Sequence, residues 1–187
     1  MEKNVALIAL FAALIAALGL IPKITLAFGV PITAQSLGVM LCGTILGSKR
    51  GALAVLLFLL LVAIGLPLLS GGRGGLGLFV SPTAGFLVGW PIAAFVTGLI
   101  VEKWRSAPLA VVGSIASIIG GILVMYVFGV IGMSITLEKP LLEATGLVTA
   151  FIPGDVLKAF IAGMLTAALA KARPASVLSR SEPADAV

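Results

Sequence analysis

Apolar residues in this chain come in long uninterrupted runs, separated by short polar breaks. The runs are Val5–Ile21, Ile32–Ser48, Gly51–Leu69, Pro82–Val101, Leu109–Met133 and one within Leu147–Ala170. A helix crossing a bilayer needs about 20 apolar residues, within a range of about 17–25. The pattern therefore predicts six transmembrane helices. The second is the weakest, because Thr33, Gln35 and several glycines dilute it. After the sixth run the chain turns polar, "KARPASVLSRSEPADAV". Residues 1–171 read as one six-helix domain, and 172–187 as a cytoplasmic tail expected to be disordered.

Composition points the same way. Hydrophobic residues make up 60% of the 187 positions and charged residues 10%, with mean hydropathy +1.27. Soluble domains carry about 25% charged residues. So few polar groups cannot cover a water-facing surface, and the expectation is an all-α, multi-pass protein of the cell membrane. The first run is long for a signal peptide and no small-residue cleavage site follows it, so it reads as the first span.

Absent residue types narrow the chemistry. There is no histidine, which removes histidine acid–base catalysis, Ser-His proteolysis and His-ligated metals. Cys42 is the single cysteine, so no intrachain disulfide can form. Neither a metal nor a cofactor is expected, and no acid–base pair for an intramembrane enzyme can be assembled. Nothing in the pattern suggests nucleic acid as a partner.

Charge sets the expected orientation. Lys3, Lys49, Arg50, Lys103, Arg105, Lys171, Arg173 and Arg180 fall at the termini and in the even loops. Lys23, Arg73 and Lys139 fall in the odd loops. Basic residues favour the cytoplasmic side, so both termini are expected there. The cytoplasmic loops, "KRG" and "EKWRSAP", are short. The outer ones are longer and rich in Gly, Pro and Thr, which is tolerated where backbone lines a cavity. Chemistry should sit on the outer side.

Five features could carry it. In "FIPGDVLKAF", Asp155 and Lys158 are three residues apart and share a helix face. Charges inside a span are costly and often mark a functional site, although Asp155 could simply cap the helix while Lys158 snorkels outward. In "GVPITAQSLG", Thr33 and Gln35 could touch a ligand or bond between helices; Gln35 is the only glutamine. In "GGRGG", Gly72, Gly74 and Gly75 would let backbone approach a ligand, and Arg73 adds a charge. No Gly-Lys-Ser/Thr follows, so this is not a P-loop. On the first helix, small residues recur at Ala9, Ala13 and Ala17 and at Ala12 and Ala16. Such spacing permits close packing, inside the chain or against a partner helix. The sole tyrosine, Tyr126, could bond to a ligand or to a neighbouring helix. Trp90 and Trp104 read as packing residues or interface anchors.

Together, "VPITAQ" (Val30–Gln35), "GGRGGLG" (Gly71–Gly77), "SPTAGFLVGW" (Ser81–Trp90) and "PGDVLK" (Pro153–Lys158) resemble the BioY family. Its members are biotin-binding S components of energy-coupling factor (ECF) vitamin transporters. Order and spacing agree over roughly residues 5 to 171. One departure is Ala84, where the family usually has glycine. The resemblance implies six helices and a biotin site under the first and third outer loops. It implies a first helix that docks on the transmembrane T subunit, with ATP handled only by partner ATPases. It also leaves room for a chain that works alone or as a homo-oligomer. Asp155 would accept from the ureido N–H groups, and Gln35 or a backbone group would serve the ureido oxygen. Lys158, or alternatively Arg73, would meet the carboxylate. Other readings are an S component for thiamine or riboflavin, and a channel or structural membrane protein.

Overall fold

The computed structural model describes residues 2–24, 27 and 30–181. Among the described residues eight α-helices follow one another: α1 (Glu2–Leu18), α2 (Gln35–Leu46), α3 (Ser48–Ala63), α4 (Ala84–Lys103), α5 (Leu109–Ile118), α6 (Met125–Thr136), α7 (Leu141–Val148) and α8 (Ile152–Ala172). A π-helical segment, Ile119–Val124, joins α5 to α6, so they form one 28-residue helix, Leu109–Thr136. A 3₁₀ turn, Thr149–Phe151, joins α7 to α8. The six apolar runs thus correspond to α1, α2, α3, α4, α5–α6 and α7–α8. Three of these are long and apolar enough by length and composition to cross a membrane: Ala84–Lys103, Leu109–Thr136 and Leu141–Ala172.

The boundaries differ from the sequence pattern for physical reasons. The α2 helix starts at Gln35 rather than Ile32, and Ile32 instead forms an isolated antiparallel bridge with Ile24. It ends at Gly47, whose φ of 85° reverses the chain. The α3 helix begins at the next residue, so Lys49 and Arg50 lie in its first turn rather than in a loop. No side chain of α3 caps its own N-terminus. Glu102 of α4 does so from a distance: Ser48 N–H and Ser48 Oγ–H donate to its two carboxylate oxygens, each at 2.8 Å. Acidic groups are favoured at a helix N-terminus. At the other end α3 stops at Ala63, short of Leu69, where Gly65 takes φ 106° and Pro67 follows.

Two further segments depart from expectation. The stretch "SITLEKPLLEATG" is not all loop; α7 occupies Leu141–Val148, burying Ala144 and Val148 behind Pro140, which is suited to a helix start. The polar tail begins with two 3₁₀ turns, Pro174–Ser176 and Leu178–Arg180. Val177 and Ser179 are each 1% exposed, and Ser179 Oγ–H donates to Thr44 O at 2.5 Å. A polar composition hid two residues that fit the end of the bundle. Residues 182–187 lie outside the described residues.

The core is apolar side chains from all spans, among them Ile15, Met40, Phe58, Leu87 and Met133. Leu53, Leu56 and Leu60 of α3, and Leu157, Phe160 and Met164 of α8, face outward. Apolar residues inside and outside are the mark of helices solvated by lipid.

Candidate functional site

A cavity opens at the end of the bundle where α2, α4 and α8 begin. Its empty space, with the open solvent at its mouth included, is about 510 Å³. One wall is apolar and aromatic: Phe86, Leu87, Trp90, Met125 and Phe151. The polar wall holds Thr33, Gln35, Ser36, Arg73, Thr83, Asp155 and Lys158.

Asp155 sits in the first turn of α8 and is 4% exposed. Its Oδ1 accepts from Ser36 Oγ–H at 3.0 Å and from Lys158 Nζ at 2.9 Å. Its Oδ2 accepts from Tyr126 Oη–H at 2.7 Å. A carboxylate offers about four lone-pair positions, so one position, on Oδ2, stays open. Lys158 donates to Thr33 O at 2.6 Å and Ser36 Oγ at 3.0 Å as well as to Asp155. An ammonium has three protons, and all three are engaged. Lys158 therefore neither snorkels outward nor has a proton free for a ligand; it neutralises Asp155.

Gln35 lines the cavity, but both of its N–H donors are likewise engaged with the protein. Its Nε2 donates to Ile15 O at 3.0 Å and Leu68 O at 3.1 Å, and its Oε1 accepts from Ser70 N–H at 2.9 Å. It fastens the end of α1 and the loop after α3 to the start of α2. Serving a ureido oxygen would break one of these bonds, so the structure makes Gln35 a clasp.

Arg73 is the second cation on the wall. Its Nε donates to Ser70 O at 3.2 Å and Nη1 to Thr83 Oγ1 at 3.4 Å. A guanidinium has five N–H donors, so most remain unengaged. Burial lowers its pKa from the ordinary arginine value.

The neighbouring glycines do not line the cavity; they aim Arg73. Gly71, Gly72 and Gly75 take φ of 81°, 69° and 93°, a region costly for residues with a Cβ. They allow Leu69 and Arg73 to exchange backbone hydrogen bonds at 3.0 and 3.1 Å across a tight turn. Gly74 is pressed against Leu66, whose carbonyl oxygen would clash with any added Cβ. Tyr126 also stands behind the wall, holding Asp155 and meeting Phe86 and Phe151 edge-on at centroid distances of 6.3 and 6.5 Å.

The candidate site residues read from the sequence do not include Ser36, Leu69, Thr83, Phe86, Leu87, Trp90, Met125 or Phe151, all of which line the cavity. Phe86, Leu87 and Trp90 of α4 lie three, four and seven residues after its N-cap, Thr83, a helical spacing legible in the sequence. Trp90 is a wall of the cavity rather than an interface anchor.

On α1 the two alanine stripes separate. Ala9, Ala13 and Ala17 are exposed. Ala12 is 2% exposed within the bundle and Ala16 is half-buried, so these two serve intramolecular packing.

The family model for BioY matches residues 2–175. The chain belongs to the BioY family. A biotin transporter BioY of Rhodobacter capsulatus is 56% identical over 96% of this chain and 100% of its own length. One from Rhizobium etli is 54% identical over 87% and 90%, and a probable biotin transporter BioY of Bacillus subtilis 41% over 88% and 89%. A crystal structure described as the S-component for biotin from an ECF-type ABC transporter superposes with a TM-score of 0.86. It is 33% identical and covers 91% of this chain and 92% of its own. This BioY chain therefore shares the S-component fold as well as the family sequence.

Proposed function

We propose that this BioY chain binds biotin at the cavity and is the substrate-specific S component of an ECF-type vitamin transporter in the cell membrane. Family membership and the TM-score of 0.86 to a biotin S-component support it. The observation that carries it is a small aromatic cavity with one open carboxylate acceptor and one separate, unsaturated guanidinium.

Biotin has two polar ends. Its ureido ring carries N–H donors, and its valerate chain ends in a carboxylate. The open position on Asp155 Oδ2 accepts a ureido N–H. Phe86, Trp90 and Phe151 cover the apolar bicycle. Arg73 meets the carboxylate, where a charge-assisted, two-pronged bond is favourable. Lys158 removes the net charge of Asp155, so a neutral ureido head can bind beside it without leaving a lone buried charge.

With both termini in the cytoplasm, as the basic residues indicate, the cavity opens outward. The exposed face of Ala9, Ala13 and Ala17 then suits close packing against a helix of the T subunit. ATPase subunits bound to that partner drive turnover, and ATP binds only there. No cofactor is needed in this chain.

Calorimetry on the purified chain in detergent tests the reading. Wild type should bind biotin tightly and Asp155→Asn much more weakly. No heat of binding to folded wild type would overturn biotin and direct the search to thiamine and riboflavin.

A further inference from the structure

The opposite end of the bundle carries a second charged feature that biotin binding does not use. Lys49 and Arg50 start α3, Lys103 ends α4, and Lys171 and Arg173 end the α8 region. Arg105 and Arg180 meet among them. Arg105 Nε donates to Glu102 O at 3.1 Å, and Arg105 Nη1 donates to Arg180 O at 3.4 Å. Arg180 Nη2 donates to Trp104 O at 3.0 Å. The two side chains are thus held at one place by backbone carbonyls.

Among the described residues neither arginine pairs with a carboxylate. The nearest acid along α4, Glu102, turns its carboxylate to Ser48, which donates once to each oxygen. Arg180 Nε is buried without a hydrogen-bond partner. Burial, and then the charge of Arg105, lowers the Arg180 pKa from the ordinary value. A buried guanidinium N–H without an acceptor is unfavourable, and like charges held together add to that.

We propose that Arg105 and Arg180 form a binding site for a phosphate group. A phosphate oxygen accepts from unengaged guanidinium N–H groups and neutralises the pair, and forked N–H donors suit its geometry. The two sources of such a group are an anionic phospholipid headgroup and free phosphate. Basic sites at helix ends on the cytoplasmic side hold anionic headgroups, and Trp104 beside the pair is of the residue type that anchors at that depth. The site rests on this cluster alone and is independent of the ligand in the outer cavity.

The test follows thermal unfolding of the full chain in detergent, titrated with phosphatidylglycerol, phosphatidylcholine or inorganic phosphate. Ligands that bind the folded state raise the midpoint. Phosphatidylglycerol should raise it by about 2–4 °C over phosphatidylcholine in wild type. The increment should vanish in the double variant Arg105→Gln/Arg180→Gln. Biotin affinity, measured alongside, should be unchanged and shows that the variant is folded; Arg105→Gln alone, at an exposed position, should lose part of the increment. A shift produced equally by inorganic phosphate assigns the site to the free anion, and one confined to phosphatidylglycerol assigns it to lipid. Absence of any shift in wild type, or an undiminished shift in the double variant, overturns the site.

Discussion

Lys158 Nζ lies 2.9 Å from Asp155 Oδ1, and its other two protons are held by Thr33 O and Ser36 Oγ. This lysine is an internal counter-ion, and that fixes how the cavity divides its labour. With Lys158 saturated, Arg73 is the cation on the wall with donors to offer a ligand.

The first prediction separates the two ends of biotin. Arg73→Gln should weaken biotin by about 10- to 100-fold, the value of a charge-assisted hydrogen bond of about 1.5–3 kcal/mol. Biotinamide, which lacks the carboxylate, should bind wild type and variant alike. Calorimetry with both ligands reads the difference; equal losses for the two would remove Arg73 from the carboxylate.

The second concerns the ion pair. Lys158→Met leaves Asp155 buried and uncompensated and should destabilise the fold by about 3–5 kcal/mol. Adding Asp155→Asn should restore most of that stability without restoring biotin binding. Thermal unfolding and ligand titration on both variants distinguish a counter-ion from a direct ligand contact.

Gln35 gives the third. Gln35→Leu removes bonds to Ile15 O, Leu68 O and Ser70 N–H. Each partner left unpaired costs about 1–3 kcal/mol. The third loop should loosen and biotin should dissociate faster, with association little changed. Stopped-flow rates check this; an unchanged off-rate would show that the clasp is not part of ligand retention.

The loop itself gives the fourth. Gly74→Val forces a side chain against Leu66 O and should displace Arg73, weakening biotin. Gly77→Ala is the control, since a Cβ there meets nothing within 4 Å, and it should bind as wild type does. Matched affinities in the two variants would detach the turn from binding.

The fifth concerns assembly. Ala13→Leu, on the exposed face of α1, should leave biotin affinity intact and reduce co-purification with a T subunit. Intact co-purification would move the docking face elsewhere.

By itself the sequence determined the environment and the chemistry. Long apolar runs require lipid and helices, because in a bilayer only a helix satisfies the backbone groups of a single run within that run. The spacing of Asp155 and Lys158 placed them on one face, and glycines around Arg73 announced an unusual turn. What each polar group faces was decided only by the tertiary structure. Lys158 reaches across 125 residues to Thr33, Gln35 across 33 to Leu68, and Tyr126 across 29 to Asp155. A hydrogen bond is local in space and not in sequence, so a residue's type states what it can donate or accept, and only the packed chain states which partner has already claimed it. The same reason explains the tail, where a polar stretch became ordered because Thr44 O, in another helix, accepts from Ser179.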